Sequence, residues 1–107
     1  MPVREIRHPA ASDLDLSHIL RTVGDPVRLS IVRLLADDRE RRCTEVGDTV
    51  GIPASTLSYH LRLLREAGLV DCERRGTWVY YWARTDALRA LADELTGPVA
   101  ALATAIA

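Results

Sequence analysis

At Gly68 the hydrophobic period changes from that of a helix to that of a strand, and this switch does most to limit the folds open to the chain. Before it, Leu57, Leu61 and Leu64 fall at i, i+4 and i+7, the stripe of an amphipathic helix. Gly68 stands where such a helix ends, as its C′ residue. After it, Leu69-Val70-Asp71-Cys72-Glu73 and Trp78-Val79-Tyr80-Tyr81-Trp82 alternate with a period of about two. Between these runs Arg74-Arg75-Gly76-Thr77 is a turn with its glycine in place, so a β-hairpin is expected.

Upstream, the spacing of Leu16, Ile19, Leu20 and Val23 predicts a first helix, capped by Asp13 or Asp15 and ended by Gly24. Asp25-Pro26 starts a second, with Val27, Ile31, Leu34 and Leu35 on its apolar face. Asp37 to Arg42 reads as a charged connector, and Thr44 as the N-cap of a short third helix containing Val46 and Val50. Gly51 supplies the turn into the fourth helix. Short helix, glycine turn and longer helix form a helix-turn-helix signature. From Thr85 the helical period returns through Leu88, Leu91, Ala92 and Leu95; Gly97-Pro98 is expected to interrupt it before a last stripe of Val99, Leu102, Ala103 and Ile106.

The fold class expected is therefore mainly α with a small β-hairpin: one winged helix-turn-helix domain spanning residues 1–107. It divides into a loose arm at 1–12, the helix-turn-helix at 44–68, the wing at 69–84 and C-terminal dimerisation helices at 85–107. A chain of 107 residues has a limited core, which favours oligomerisation. The terminal stripes need a partner, and Leu16, Ile19, Leu20, Leu88, Leu91, Leu95, Val99, Leu102 and Ile106 are the candidate dimer interface. No apolar run approaches the roughly 20 residues of a membrane span, and no apolar core follows the charges near the N-terminus, so the expected location is cytoplasmic.

A net charge of −1 excludes a polycation, so any nucleic-acid role rests on local patches. Residues 28–84 hold ten arginines against eight carboxylates, whereas the flanks hold four against seven. With Leu57, Leu61 and Leu64 turned inward, the fourth helix presents Ala54, Ser55, Ser58, Tyr59 and Arg62 outward, where a major groove could be read. Thr56 and His60 complete the candidate contacts on this helix, with Arg74, Arg75 and Thr77 on the wing. His60 is expected to pack under the helix or touch a phosphate rather than read a base. The chain has no Asn or Gln, which removes bidentate adenine readout and leaves specificity to Ser55, Ser58, Tyr59, His60 or Arg62, to apolar contact of Ala54 with thymine methyls and to DNA shape, with Tyr59 expected as the central base-facing residue. Trp78, Tyr80 and Trp82 share one strand face, a pattern of core and interface packing.

Val23-Gly24-Asp25-Pro26-Val27-Arg28-Leu29, Ser55-Thr56-Leu57-Ser58-Tyr59-His60-Leu61, Leu64-Arg65-Glu66-Ala67-Gly68-Leu69-Val70 and Gly76-Thr77-Trp78-Val79-Tyr80-Tyr81 resemble, in order and spacing, the arsenic-repressor (ArsR/SmtB) family of winged helix-turn-helix regulators. The resemblance implies a homodimer built on the first and last helices, binding double-stranded DNA at an inverted-repeat operator and repressing transcription until an effector releases it. The family's recognition motif often carries a Gln and an Arg that read bases; here those positions hold Ala54 and Tyr59. The family's Cys-x-Cys metal site would fall on Arg42 and Thr44, and its C-terminal site requires histidines that are missing after Thr85. No metal and no cofactor are therefore expected.

Cys43 and Cys72 read either as small buried hydrophobes or as a thiol switch, the latter requiring Cα atoms about 4.4–6.8 Å apart. No nucleophile and base set points to an enzyme. The rival reading from another class is a winged-helix protein-interaction module without DNA binding, since fold alone does not fix function.

Overall fold

A computed structural model describes the backbone of residues 15–106 and the side chains of residues 15–97. Among the described residues, five helices and three short strands follow in the order α1 (Leu16–Val23), α2 (Pro26–Leu35), β1 (Arg41–Arg42), α3 (Cys43–Val50), α4 (Ala54–Glu66), β2 (Val70–Arg75), β3 (Trp78–Ala83) and α5 (Thr85–Ile106). The strands form one antiparallel sheet in the order β1-β3-β2. The arm at 1–12 lies outside the described residues.

Local chemistry sets most boundaries. Asp15 caps α1 by accepting from the His18 amide. Asp25 caps α2, its Oδ2 accepting from the amides of Val27 at 2.9 Å and Arg28 at 3.1 Å, with Pro26 in the first turn where no N–H is needed. Gly51, at φ 81°, turns the chain between α3 and α4. At the other end of α4, Gly68 at φ 80° completes a Schellman motif. There the Leu69 amide donates to the Leu64 carbonyl at 3.0 Å and the Gly68 amide to that of Arg65 at 2.9 Å. Leu64 and Leu69 are both fully buried, so this turn also begins the sheet side of the core.

The core joins Ile19 of α1, Ile31 and Leu35 of α2, Val46 of α3, Leu57, Leu61 and Leu64 of α4, Val70 and Ala83 of the hairpin, and Ala87 of α5. A Cβ on Gly47 would stand 3.2 Å from Leu57 Cδ2, so α3 and α4 cross closely at that point.

Four sequence expectations are corrected. The connector ends in a strand, because Arg41 pairs with Tyr81 and Arg42 with Tyr80. That pairing holds Arg42 extended and makes it, not Thr44, the N-cap of α3, with the Glu45 carboxylate accepting from the Arg42 amide at 3.0 Å. Arg74 and Arg75 belong to β2, and the turn is only Gly76-Thr77, with φ 63° at Gly76 as a type II′ hairpin turn requires. Finally, α5 runs unbroken through Gly97-Pro98. A proline mid-helix loses one hydrogen bond and crowds the preceding turn, and Gly97, without a Cβ, removes one of the contacts that steer the residue before a proline away from helix.

Candidate nucleic-acid interface

On α4 the three leucines are buried, and Ala54, Ser55, Thr56, Ser58, Tyr59 and Arg62 are exposed, as the helical spacing requires. Tyr59 is the large residue of this surface, 50% exposed. Its ring meets that of His60 edge-on, with centroids 5.4 Å apart, and the Arg62 guanidinium lies 5.7 Å from its centroid. Arg62 reaches Glu66 at only 3.9 Å with both side chains well exposed, an ion pair too weak to hold it. His60 leaves the candidate DNA surface: it is 8% exposed, and its Nδ1 faces Arg28 from within.

The wing divides its two arginines. Arg74 is exposed and, among the described residues, has no carboxylate partner. Arg75 instead donates in a bidentate pair to Glu40 at 2.8 and 3.0 Å, and from Nε to Glu73, while its guanidinium stacks 4.7 Å from the Tyr80 ring centroid. Its charge is therefore largely matched before any phosphate arrives. Thr77 is exposed in the turn. Trp78, 45% exposed, carries the Arg42 guanidinium 4.6 Å from its ring centroid, so the expected packing face of β3 is open at the wing end and closed at buried Trp82. Sequence reasoning missed Glu40 and Glu73. Glu73 had a signal, since it lies two residues before Arg75 on the same strand face.

The candidate dimer residues separate by burial. Ile19 is 2% exposed inside the protomer's own core, which withdraws it from an interface. Leu88 and Leu91 pack partly on that core, and Leu16 is half-buried. Leu20 and Leu95, 40% and 50% exposed, are large apolar side chains left to solvent. The side chains of Val99, Leu102 and Ile106 lie outside the described residues. Beyond Leu91, every described side chain of α5 through Gly97 is exposed, so this stretch has no packing partner within the described chain.

Both thiols are free and half-buried. The strand order puts β3 between Cys72 and the end of β1, and two strand spacings are roughly 9–10 Å. A Cys43–Cys72 disulfide needs Cα atoms within about 7 Å, so the thiol switch in that form would require the backbone to move. Burial pushes both thiols above their ordinary range; Cys72 adds to this at Cys43, and at Cys72 the Asp71 charge adds to it against the opposing charge of Arg65. Tyr81 stands in this cluster, directly across the sheet from Cys72. Burial, and then the charges of Cys72 and Cys43, push its hydroxyl up to about 12. An acid whose folded value is raised contributes stability below its unfolded value, and this is lost as pH rises through the folded one. One tyrosine should thus ionise only as pH approaches about 12, together with unfolding. Alkaline titration followed by phenolate absorbance and circular dichroism checks this; early ionisation of all three tyrosines with the fold intact would contradict it.

Among the described residues no group of three His, Cys, Asp or Glu side chains could hold a metal ion, and no helix is long and apolar enough to cross a membrane. A family profile described as a helix-turn-helix domain matches residues 23–73. An uncharacterised HTH-type transcriptional regulator of Methanocaldococcus jannaschii is 35% identical over 82 residues, 74% of this chain and 92% of that protein. The arsenical resistance operon repressor of Bacillus subtilis is 30% identical over 69% of this chain and 70% of its own length. Among solved structures, the homodimeric winged helix-turn-helix DNA-binding domain of a "possible ArsR-family transcriptional regulator" from Mycobacterium bovis superposes with a TM-score of 0.66. It is 31% identical, covering 79% of this chain and 77% of that one. With helix order, sheet, turn glycines and relatives in agreement, the chain belongs to the ArsR/SmtB family of winged helix-turn-helix transcriptional regulators.

Proposed function

We propose that the protein is a homodimeric, sequence-specific DNA-binding regulator, a repressor released by an effector, that places α4 in the major groove of an inverted-repeat operator and flanks it with the wing. The observation that carries this reading is the continuous polar outer face of α4, Ala54 to Arg62, seated on three buried leucines beside exposed Arg74 and Thr77. Ser55, Ser58 and Tyr59 offer hydroxyls to base edges, and Ala54 offers a methyl to thymine. Arg62 and Arg74 are exposed cations placed to reach phosphates. Because Arg75 is already paired, the salt dependence of binding should be shallow.

Exposed Leu20 and Leu95 supply apolar surface for a second copy, and the Mycobacterium bovis relative is homodimeric. In such a dimer the two recognition helices would lie about one helical turn, ~34 Å, apart. An effector would then act by shifting that spacing rather than by competing for the groove. The second reading, a protein-interaction module, is favoured by the neutralised Arg75, by Ala54 and Tyr59 where the family often carries its Gln and Arg, and by the net charge of −1.

Selection of bound duplexes from a random pool at fixed salt tests the proposal. An enriched inverted repeat is the expected result. No enrichment would overturn it in favour of the protein-interaction reading.

A further inference from the structure

His60 is the polar member of the buried stripe of α4, and its Nδ1 lies 3.1 Å from Nη1 of Arg28. A guanidinium has donors only and stays charged throughout the stable range of a protein. The imidazole nitrogen facing it must therefore be the acceptor, which makes His60 the neutral tautomer with its hydrogen on Nε2. The same guanidinium donates from Nε to the Thr22 carbonyl at 2.5 Å, one of the last carbonyls of α1 that no amide of that helix can reach. Arg28 is itself fixed in the first turn of α2 by Asp25, whose Oδ2 takes its amide and lies 3.9 Å from His60 Nδ1. One side chain thus ties the end of α1, the start of α2 and the inner face of α4.

We propose that Arg28 and His60 are the positioning pair of the recognition helix. Through them the angle at which α4 presents Ser55, Ser58 and Tyr59 is set by the end of α1. The inference rests on the DNA-binding reading and deepens it. Leu57, Leu61 and Leu64 seat α4, but apolar contact has no direction and leaves rotation about the stripe soft. A charge-assisted hydrogen bond beside the stripe is directional and stops that rotation. Because α1 carries exposed Leu20, a change in the packing of that helix reaches α4 by the Thr22, Arg28 and His60 chain.

The probe is the duplex that the wild-type protein enriches from a random pool. His60→Asn places an amide oxygen near the position of Nδ1 and cannot be protonated, whereas His60→Leu fills the space without an acceptor. His60→Leu is expected to bind about tenfold more weakly and His60→Asn within about twofold of wild type. Arg28→Met, which removes the donor and keeps most of the side chain's length, is expected to weaken binding by about the same factor as His60→Leu. Should His60→Leu fail to fold, the comparison of wild type, His60→Asn and Arg28→Met decides alone. Equal affinity of wild type and either His60→Leu or Arg28→Met overturns the positioning role. A wild-type protein that enriches no duplex overturns the DNA-binding reading itself, and this inference with it.

Discussion

Leu61→Ala is expected to lower the unfolding free energy by roughly 2–5 kcal/mol, the cost of the forfeited burial plus the cavity left behind. Leu61 has no exposed surface, and it sits where α4 meets the rest of the core. Domains of this size hold only about 5–15 kcal/mol in total, so the variant should lose a large share of its stability. The thermal midpoint should fall by roughly 10 °C or more. Denaturant unfolding at one protomer concentration measures it: the midpoint should drop with the slope unchanged, because the same surface is exposed on unfolding. Ser58→Ala, on the outer face of the same helix, should stay within about 0.5 kcal/mol of wild type. A loss below about 1 kcal/mol for Leu61→Ala would mean that α4 is not seated as described.

What can be read from sequence is local. The stripe of Leu57, Leu61 and Leu64, the Asp25-Pro26 start of α2 and the positive φ of Gly51, Gly68 and Gly76 are each set by a few neighbouring residues. Sequence and structure part where distant segments decide. Thr44 is a good N-cap by type, yet the pairing of Arg42 with Tyr80, across nearly the whole helix-turn-helix, starts α3 one residue after Arg42. Ile19 and Leu20 are neighbours in one apolar stripe, and only the docking of α1 on α2 and α4 shows that the first is core and the second surface. Gly97-Pro98 misleads for the opposite reason: the proline is a local breaker by type, yet α5 continues through it, the missing Cβ of Gly97 removing only one of the contacts that disfavour helix before a proline.

The candidate site shows the same division. Helical parity turns Tyr59 out, and it leaves the histidine beside it to pack beneath the helix or to meet a phosphate, of which the structure gives the first. Its partner Arg28 lies thirty-two residues earlier, where nothing in the spacing points to it. Arg75 reads as a free cation because its sequence neighbours hide the bidentate match with Glu40, thirty-five residues away. Long-range ion pairs decide which arginines remain available for phosphate, and a count of charges between residues 28 and 84 cannot supply that.

Tyr59→Ala is expected to weaken binding to the selected duplex by roughly 1–3 kcal/mol, about 5- to 150-fold, the range of a good base contact. The side chain is half-exposed, its ring meeting the His60 ring edge-on and the Arg62 guanidinium. Stability should therefore change by no more than about 0.5–1 kcal/mol, the worth of an exposed cation–π interaction. The salt slope separates base reading from charge. Tyr59→Ala removes no cation and should leave the slope unchanged, whereas Arg62→Ala should flatten it by about 0.9, the share of a single phosphate that the protein would no longer neutralise. Repeating the duplex selection with Tyr59→Ala should show relaxed preference at one position in each half-site, since phosphate contacts fix register and base contacts fix sequence. Tyr59→Phe divides the side chain further: retained affinity with relaxed preference would assign the reading to the hydroxyl, and an unchanged profile would assign it to the ring. If Tyr59→Ala bound the selected duplex as wild type does, base reading would pass to Ser55 and Ser58, the remaining exposed hydroxyls at the centre of that face.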